Sequence, residues 1–233
     1  MARRTVDVCA VAPPTELPAP PGVVIDVLSP LVTPERHARI ESVVVGRTDD
    51  VVVVLEEVHD PHNASAVLRS ADAFGVQTIH VVDPGKTFAV ARKIAQGTHR
   101  WIDVYRYDDV ATCAHALKRQ RYKIVVAAMG GDLKPEDLGG MDRFAIVLGN
   151  EHDGVSSSMR ALADATYEIP MRGFVESLNV SVAAAITLRA ATAGRAGSLS
   201  PDRRVELTAR FLMASVKDAE RIVRDRAVGA KSL

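Results

Sequence analysis

Two cysteines, Cys9 and Cys113, are all that 233 residues contain. They lack the spacing of metal ligands and are too few for a disulfide scaffold, so a reducing, cytoplasmic setting is expected. His59, His62, His99 and His152 form no ligand set either, and no metal is expected. No apolar stretch approaches the roughly 18 residues of a membrane helix, so no membrane association is expected. Arg3 and Arg4 lead into Asp7 and a proline cluster rather than an apolar run, so no secretory leader is expected. No G-x-G-x-x-G follows an early strand, which argues against a dinucleotide-dependent dehydrogenase. The formal net charge is +0, so bulk charge does not announce a nucleic-acid partner.

What is present is the composition of a globular enzyme: 47% hydrophobic and 25% charged residues. The length suits one large domain, or one with a small appendage, with a sizeable core. The distribution of charge is more informative than its sum. The cations are 22 Arg against 7 Lys, and the planar guanidinium binds two phosphate oxygens at once. From Arg189 to Leu233 ten Lys/Arg face five Asp/Glu. A smaller basic group lies at Arg92, Lys93, Arg100 and Arg106. Solvated surface is the plainer explanation for any one of these runs.

Six prolines fall within residues 1–32, which predicts an extended or partly disordered arm. Thr33-Pro34-Glu35 then opens a helix reaching about Arg47, with a cap, a proline at the first helical position and an acid in the first turn. After it the pattern alternates. Strands are predicted at 51–55, 78–82, 102–106, 124–128, 144–148 and 166–169. Helices are predicted at 60–74, 86–94, 108–121, 156–163 and 178–193, then a linker at 194–201 and one charged helix over 202–227. Continuous runs such as Val51–Leu55 read as strands buried on both faces. The fold class is therefore α/β, a mostly parallel sheet with helices on both faces. Ligands in such folds bind at the carboxyl ends of the strands.

Three segments carry chemistry. The first, Glu57-Val-His-Asp-Pro-His-Asn63 through Arg69 to Gly75, follows a buried strand. Asn63 lies at a helix N-terminus and Arg69 mid-helix among apolar residues, where a guanidinium is costly unless paired. A plain cap for Asn63 and an ion pair of Arg69 with Asp72 are the bland alternatives. The second, Ala145-Ile-Val-Leu148-Gly149-Asn150-Glu151-His-Asp-Gly154-Val-Ser156, takes a strand straight into a glycine-rich turn that lets backbone approach a ligand. An ordinary strand–turn–helix capped by Ser156 would look similar. The third, Ile169-Pro-Met171-Arg-Gly-Phe-Val-Glu-Ser177-Leu178-Asn179, is a loop before an alanine-rich helix that Ser177 or Asn179 could cap.

In order and spacing, these segments resemble the three motifs of the SpoU (TrmH-like) branch of the SPOUT methyltransferases. The resemblance runs from about Thr33 to Arg195 and is strongest to the tRNA guanosine-2′-O-methyltransferases of the D-loop guanosine 18. It implies an RNA 2′-O-methyltransferase using S-adenosyl-L-methionine, an α/β fold with a deep C-terminal trefoil knot, and a homodimer whose active site is completed by the partner subunit. The expected domain division is a Pro-rich N-terminal arm over 1–32, which is extra to the family pattern, a methyltransferase domain over 33–195 and a basic helical extension over 196–233. Carried over by position, Arg69, Asn63, Glu151, Ser177 and Asn179 are the expected catalytic set. The expected cofactor-binding set is Ala127, Ala128, Met129, Leu148, Gly149, Asn150, Gly154, Ile169, Met171 and Leu178. Arg36, Arg39, Arg47 and Arg195 are expected to grip RNA.

Some positions depart from the family pattern. Position 127 is Ala where close relatives often have Thr, and His152 follows Glu151 where they usually have Lys. The closing helix ends Thr192-Ala193-Gly194-Arg195, with one arginine of the usual basic stretch replaced by Ala193. These changes spare the chemistry and bear on the RNA target. Transfer RNA is expected, 23S ribosomal RNA is the alternative, and a non-catalytic RNA-binding protein is the third reading.

Overall fold

The computed structural model describes residues 8–9, 16–85 and 88–229. They fall into two compact units: 8–9 with 49–195, and 16–48 with 196–229. The first unit is built on a six-stranded parallel sheet. Its strands are β2 (Val51–Glu56), β3 (Thr78–Val82), β5 (Asp103–Tyr107), β6 (Lys123–Ala127), β7 (Phe144–Leu148) and β8 (Ala165–Tyr167). Their order is β5-β3-β2-β7-β6-β8, every pair parallel. A separate pair, β1 (Val8–Cys9) and β4 (Val90–Ala91), runs antiparallel.

β2 shows why the sequence makes this sheet. Val51 to Leu55 are all fully buried, and β-branched side chains suit a pleat covered on both sides. Successive residues point to opposite faces, and the core divides accordingly. Val51, Val53 and Leu55 pack with Val67, Leu68, Ala184 and Leu188. Val52 and Val54 pack with Cys113, Leu117, Val155 and Met159. The first layer is closed by α3 (Pro61–Ala73) and α7 (Val180–Ala191), the second by α5 (Val110–Arg119) and α6 (Ser157–Ala161). Each fully buried Val or Leu contributes about 1.5–3 kcal/mol.

Helix starts follow local chemistry. Asp60 accepts from His62 N at 2.8 Å with Pro61 at the first position of α3. Ser156 accepts from Met159 N at 3.1 Å, and Asn179 from Ser181 N at 2.9 Å. α5 is capped by Asp109, so it starts at Val110 rather than at the predicted 108. The predicted 86–94 helix is strand β4 followed by the short α4 (Arg92–Ala95). Its first two residues lie outside the described ones.

The second unit holds α1 (Pro21–Leu28), α2 (Pro34–Gly46), α8 (Pro201–Ser215) and α9 (Ala219–Gly229). Where an extended arm was expected, residues 21–28 are helical, because Val24, Val27 and Leu28 form a buried stripe against α8 and α9. The rest of that arm lies mostly outside the described residues. The single helix expected over 202–227 is broken at Val216–Asp218, with Asp218 at φ +55°. α2, expected within the methyltransferase domain, packs on α8 in this second unit. Among the described residues no helix is long and apolar enough to cross a membrane.

Candidate active site

The carboxyl ends of β2, β6, β7 and β8 carry the candidate site. β7 runs into Gly149, whose neighbours leave no room for a side chain. A Cβ there would lie 2.0 Å from the carbonyl carbon and oxygen of Gly154. Gly154 itself has φ +68°, a region favourable to glycine. Asn150 ties the turn by accepting at Oδ1 from His152 N and Asp153 N, each at 2.8 Å. Its carbonyl accepts from Gly154 N at 3.1 Å. The far end is anchored by Glu56, the last residue of β2 and 2% exposed. Its carboxylate accepts from Ser156 N at 2.9 Å and Ser156 Oγ at 2.6 Å. Sequence reasoning passed over Glu56, although an acid closing the all-apolar run Val51–Leu55 was a usable signal. An acid placed there needs donors from the loop across the strand end.

The tethered turn presents Glu151. Asn63, in the first turn of α3, donates from Nδ2 to Glu151 Oε1. Asn63 Oδ1 in turn accepts from Asn179 Nδ2 at 3.0 Å. Asn179 Oδ1 accepts from Ser181 N at 2.9 Å and Ser181 Oγ at 2.6 Å. Three residues from the three sequence segments thus form one polar string. Each amide is oriented by its neighbours, with an acceptor-only carboxylate at one end. Asn63 is not the cap of α3; Asp60 is.

Beside this string lies a cleft of about 180 Å³ lined by Ala127, Ala128, Met129, Tyr167, Glu168, Ile169, Met171, Glu176, Ser177, Leu178 and Ala183. One wall is the 128–133 turn, laid flat on β8. Ala128 N donates to Tyr167 O at 2.9 Å and Gly130 N to Glu168 Oε2 at 2.9 Å. Gly131 is obligatory there, since a Cβ would lie 2.4 Å from the Tyr167 carbonyl carbon. Six of the ten expected cofactor residues line the cleft. Leu148, Gly149, Asn150 and Gly154 do not; they make the neighbouring turn. Ser177 lines the cleft rather than joining the polar string. Tyr167, Glu168, Glu176 and Ala183 are lining residues that sequence reasoning did not name.

Arg69 is exposed on α3, so the desolvation cost inferred from its apolar neighbours in sequence does not arise. Its Nη1 donates to Ile94 O at 3.4 Å. The expected RNA contacts divide. Arg39 is exposed, and Arg36 is exposed with Nη2 donating to Ser215 Oγ at 3.1 Å. Arg47 is 1% exposed, its guanidinium 5.9 Å from the Phe211 ring centroid, and so cannot reach RNA. Arg195 is also occupied. It donates to the carbonyls of Ala191, Leu138, Gly139, Met141 and Asp142 and lies over the Phe144 ring. It closes a helix end rather than offering a fork to phosphate.

The SpoU rRNA methylase family pattern matches residues 50–189, which takes in all three segments. The chain belongs to the SpoU methylase family. This SpoU protein is 38% identical over 157 residues to a tRNA (guanosine(18)-2′-O)-methyltransferase of Thermus thermophilus, covering 67% of this chain and 81% of that one. Among solved structures, the A. aeolicus TrmH/SpoU tRNA modifying enzyme superposes with a TM-score of 0.70 at 28% identity, over 82% of this chain and all of that one. The SpoU methyltransferase AviRb of Streptomyces viridochromogenes, solved with AdoMet, superposes with a TM-score of 0.53 at 25% identity. That match covers 64% of this chain and 60% of AviRb.

Proposed function

We propose that this SpoU protein transfers a methyl group from S-adenosylmethionine to the ribose 2′-oxygen of guanosine 18 in tRNA. The observation that carries the reading is the Glu151–Asn63–Asn179 string beside the β6–β8 cleft, within a chain 38% identical to a guanosine-18 enzyme.

The residues of the cleft fit an adenosyl ligand. Ala127, Ile169, Leu178 and Ala183 give apolar walls, while Glu168, Glu176 and Ser177 give polar ends. At about 180 Å³ the cleft is smaller than the roughly 300–1,000 Å³ of a full ligand pocket, so it accommodates one end of the molecule. When bound, S-adenosylmethionine supplies an already activated methyl group. The chain therefore has to align the 2′-hydroxyl with that methyl, relieve it of its proton and exclude water. Arg69 orients ribose and phosphate; a guanidinium stays protonated at neutral pH and is a poor base. The RNA phosphate it holds accepts the proton. Asn63 and Asn179, fixed by Glu151 and Ser181, hold the nucleotide in register.

The reading includes a homodimer and a knotted C-terminal half. Supporting the dimer, Phe174, Val175 and Met129 are exposed at or beside the cleft, and Val182 and Ile186 present an apolar edge of α7. A second copy would bury these side chains, and in this reading the partner subunit completes each active site. The return of the chain from β8 through 170–179 to α7, packed on α3, is consistent with the knot.

The test is incubation of the protein with S-adenosylmethionine and an unmodified tRNA transcript, followed by nuclease digestion and mass spectrometry. One 2′-O-methylguanosine at position 18 is expected, and none in a transcript carrying deoxyguanosine there. Methylation of a 23S rRNA fragment but not tRNA, or of neither, would overturn the assignment.

A further inference from the structure

The basic group on and after α4 has no place in the mechanism above. Arg92 and Lys93 open α4 and Arg100 ends the 3-10 turn at Thr98–Arg100; all three are exposed. Between helix and turn, Gln96 and Gly97 have φ +46° and +81°, which folds the turn back beside α4. The fold-back sets His99 among cations. Partial burial and the guanidiniums of Arg100 and Arg92 hold its imidazole below the ordinary histidine range. Its Nδ1 is inaccessible and has no hydrogen-bond partner among the described residues. Arg100 lies 5.7 Å from the ring centroid of Trp101, the only tryptophan in the chain. The group adjoins Arg69, which donates to the Ile94 carbonyl of α4. Asp72 lies one turn after Arg69 on α3, and Asp103 is buried in β5.

We propose that Arg92, Lys93, His99 and Arg100 form a binding track for the RNA backbone phosphates that flank the nucleotide held by Arg69. The proposal rests on the RNA-methyltransferase reading and names where its substrate runs. Guanidinium forks suit phosphate oxygens, and a track starting at Arg69 leads a strand away from the reacting ribose. A phosphate settling between Arg92 and Arg100 offsets part of their field on His99. Contacts of this kind position the substrate and strengthen binding in a salt-dependent way without choosing sequence.

Trp101 gives a readout that needs no methyl transfer. Titrating the protein with an unmodified tRNA transcript should change Trp101 emission along the same curve that fluorescence anisotropy of labelled tRNA follows. In the Arg92→Gln/Arg100→Gln protein, the slope of log affinity against log salt should fall by about 1 per lost phosphate contact. Its KM for tRNA should rise about tenfold, with kcat at saturating tRNA and S-adenosylmethionine affinity unchanged. Arg92→Lys/Arg100→Lys should recover most of the loss. Unchanged Trp101 emission while tRNA binds, or a wild-type salt slope in the Gln variant, would overturn the track. A normal binding response without any methyl transfer would instead overturn the enzymatic reading and leave the track standing.

Discussion

Replacing Gly149 by alanine places one methyl group where the turn has no space. The new Cβ would sit 2.0 Å from the Gly154 carbonyl group and 2.3 Å from Val155 N. Ordinary contact begins near 3.4 Å, so the turn must open by about 1.4 Å. Val155, 3% exposed in the core, resists that shift. The Asn150 O to Gly154 N bond of 3.1 Å is the first to break, at about 0.5–1.5 kcal/mol. Overpacking adds about 1–3 kcal/mol. The sum is well below the 5–15 kcal/mol that holds a domain together, so the protein should fold. Its melting temperature should fall by roughly 5–15 °C. Turnover should fall further in proportion, because Glu151 rides on the displaced turn and a shift of about 1 Å can cost roughly 100-fold. Gly139→Ala is the control, since its Cβ would meet nothing closer than Ala190 O at 3.7 Å. Thermal unfolding by circular dichroism and single-turnover methyl transfer measure both effects. Wild-type melting and turnover in Gly149→Ala would refute the packing argument.

Arg69→Ala should lower kcat at least 100-fold while calorimetry shows unchanged S-adenosylmethionine affinity; near-normal turnover would remove Arg69 from its assigned role. Glu56→Ala leaves Ser156 N and Oγ without their acceptor and should cost about 2–4 kcal/mol in denaturant unfolding. Glu56→Gln, with one acceptor oxygen, should fall between Glu56→Ala and wild type. His80, stacked beside Tyr105 and Tyr107, is pushed by burial down to about 4 from 6.5. Its neutral form is the one folding favours, so its contribution is complete above pH 6.5 and is lost as pH falls toward 4. The loss at the acid end is about 3 kcal/mol. Unfolding followed from pH 7 to pH 4 should show this slope in wild type, and His80→Phe should flatten it.

The sequence by itself determined the layered α/β fold. The β-branched run Val51–Leu55 needs cover on both faces, and Thr33, Asp60 and Ser156 start helices through bonds that reach only two or three residues ahead. Local chemistry of this kind is complete within a short window. It likewise marked Gly149, Asn63, Glu151 and Asn179 as candidates, because their residue types and spacing carry the family pattern. Only the tertiary structure decided which of these meet. The Asn63–Glu151 and Asn179–Asn63 bonds span 88 and 116 residues, and Glu56 reaches Ser156 across 100. It also decided the fate of the arginines. Arg39, Arg47 and Arg195 look alike in a charge count, yet Arg39 faces solvent, Arg47 is buried against Phe211 and Arg195 is saturated with carbonyls. The helix in the proline-rich arm has the same cause. Its buried stripe exists only where α8 and α9 provide the other half, and a contact between distant segments has no periodicity along either one.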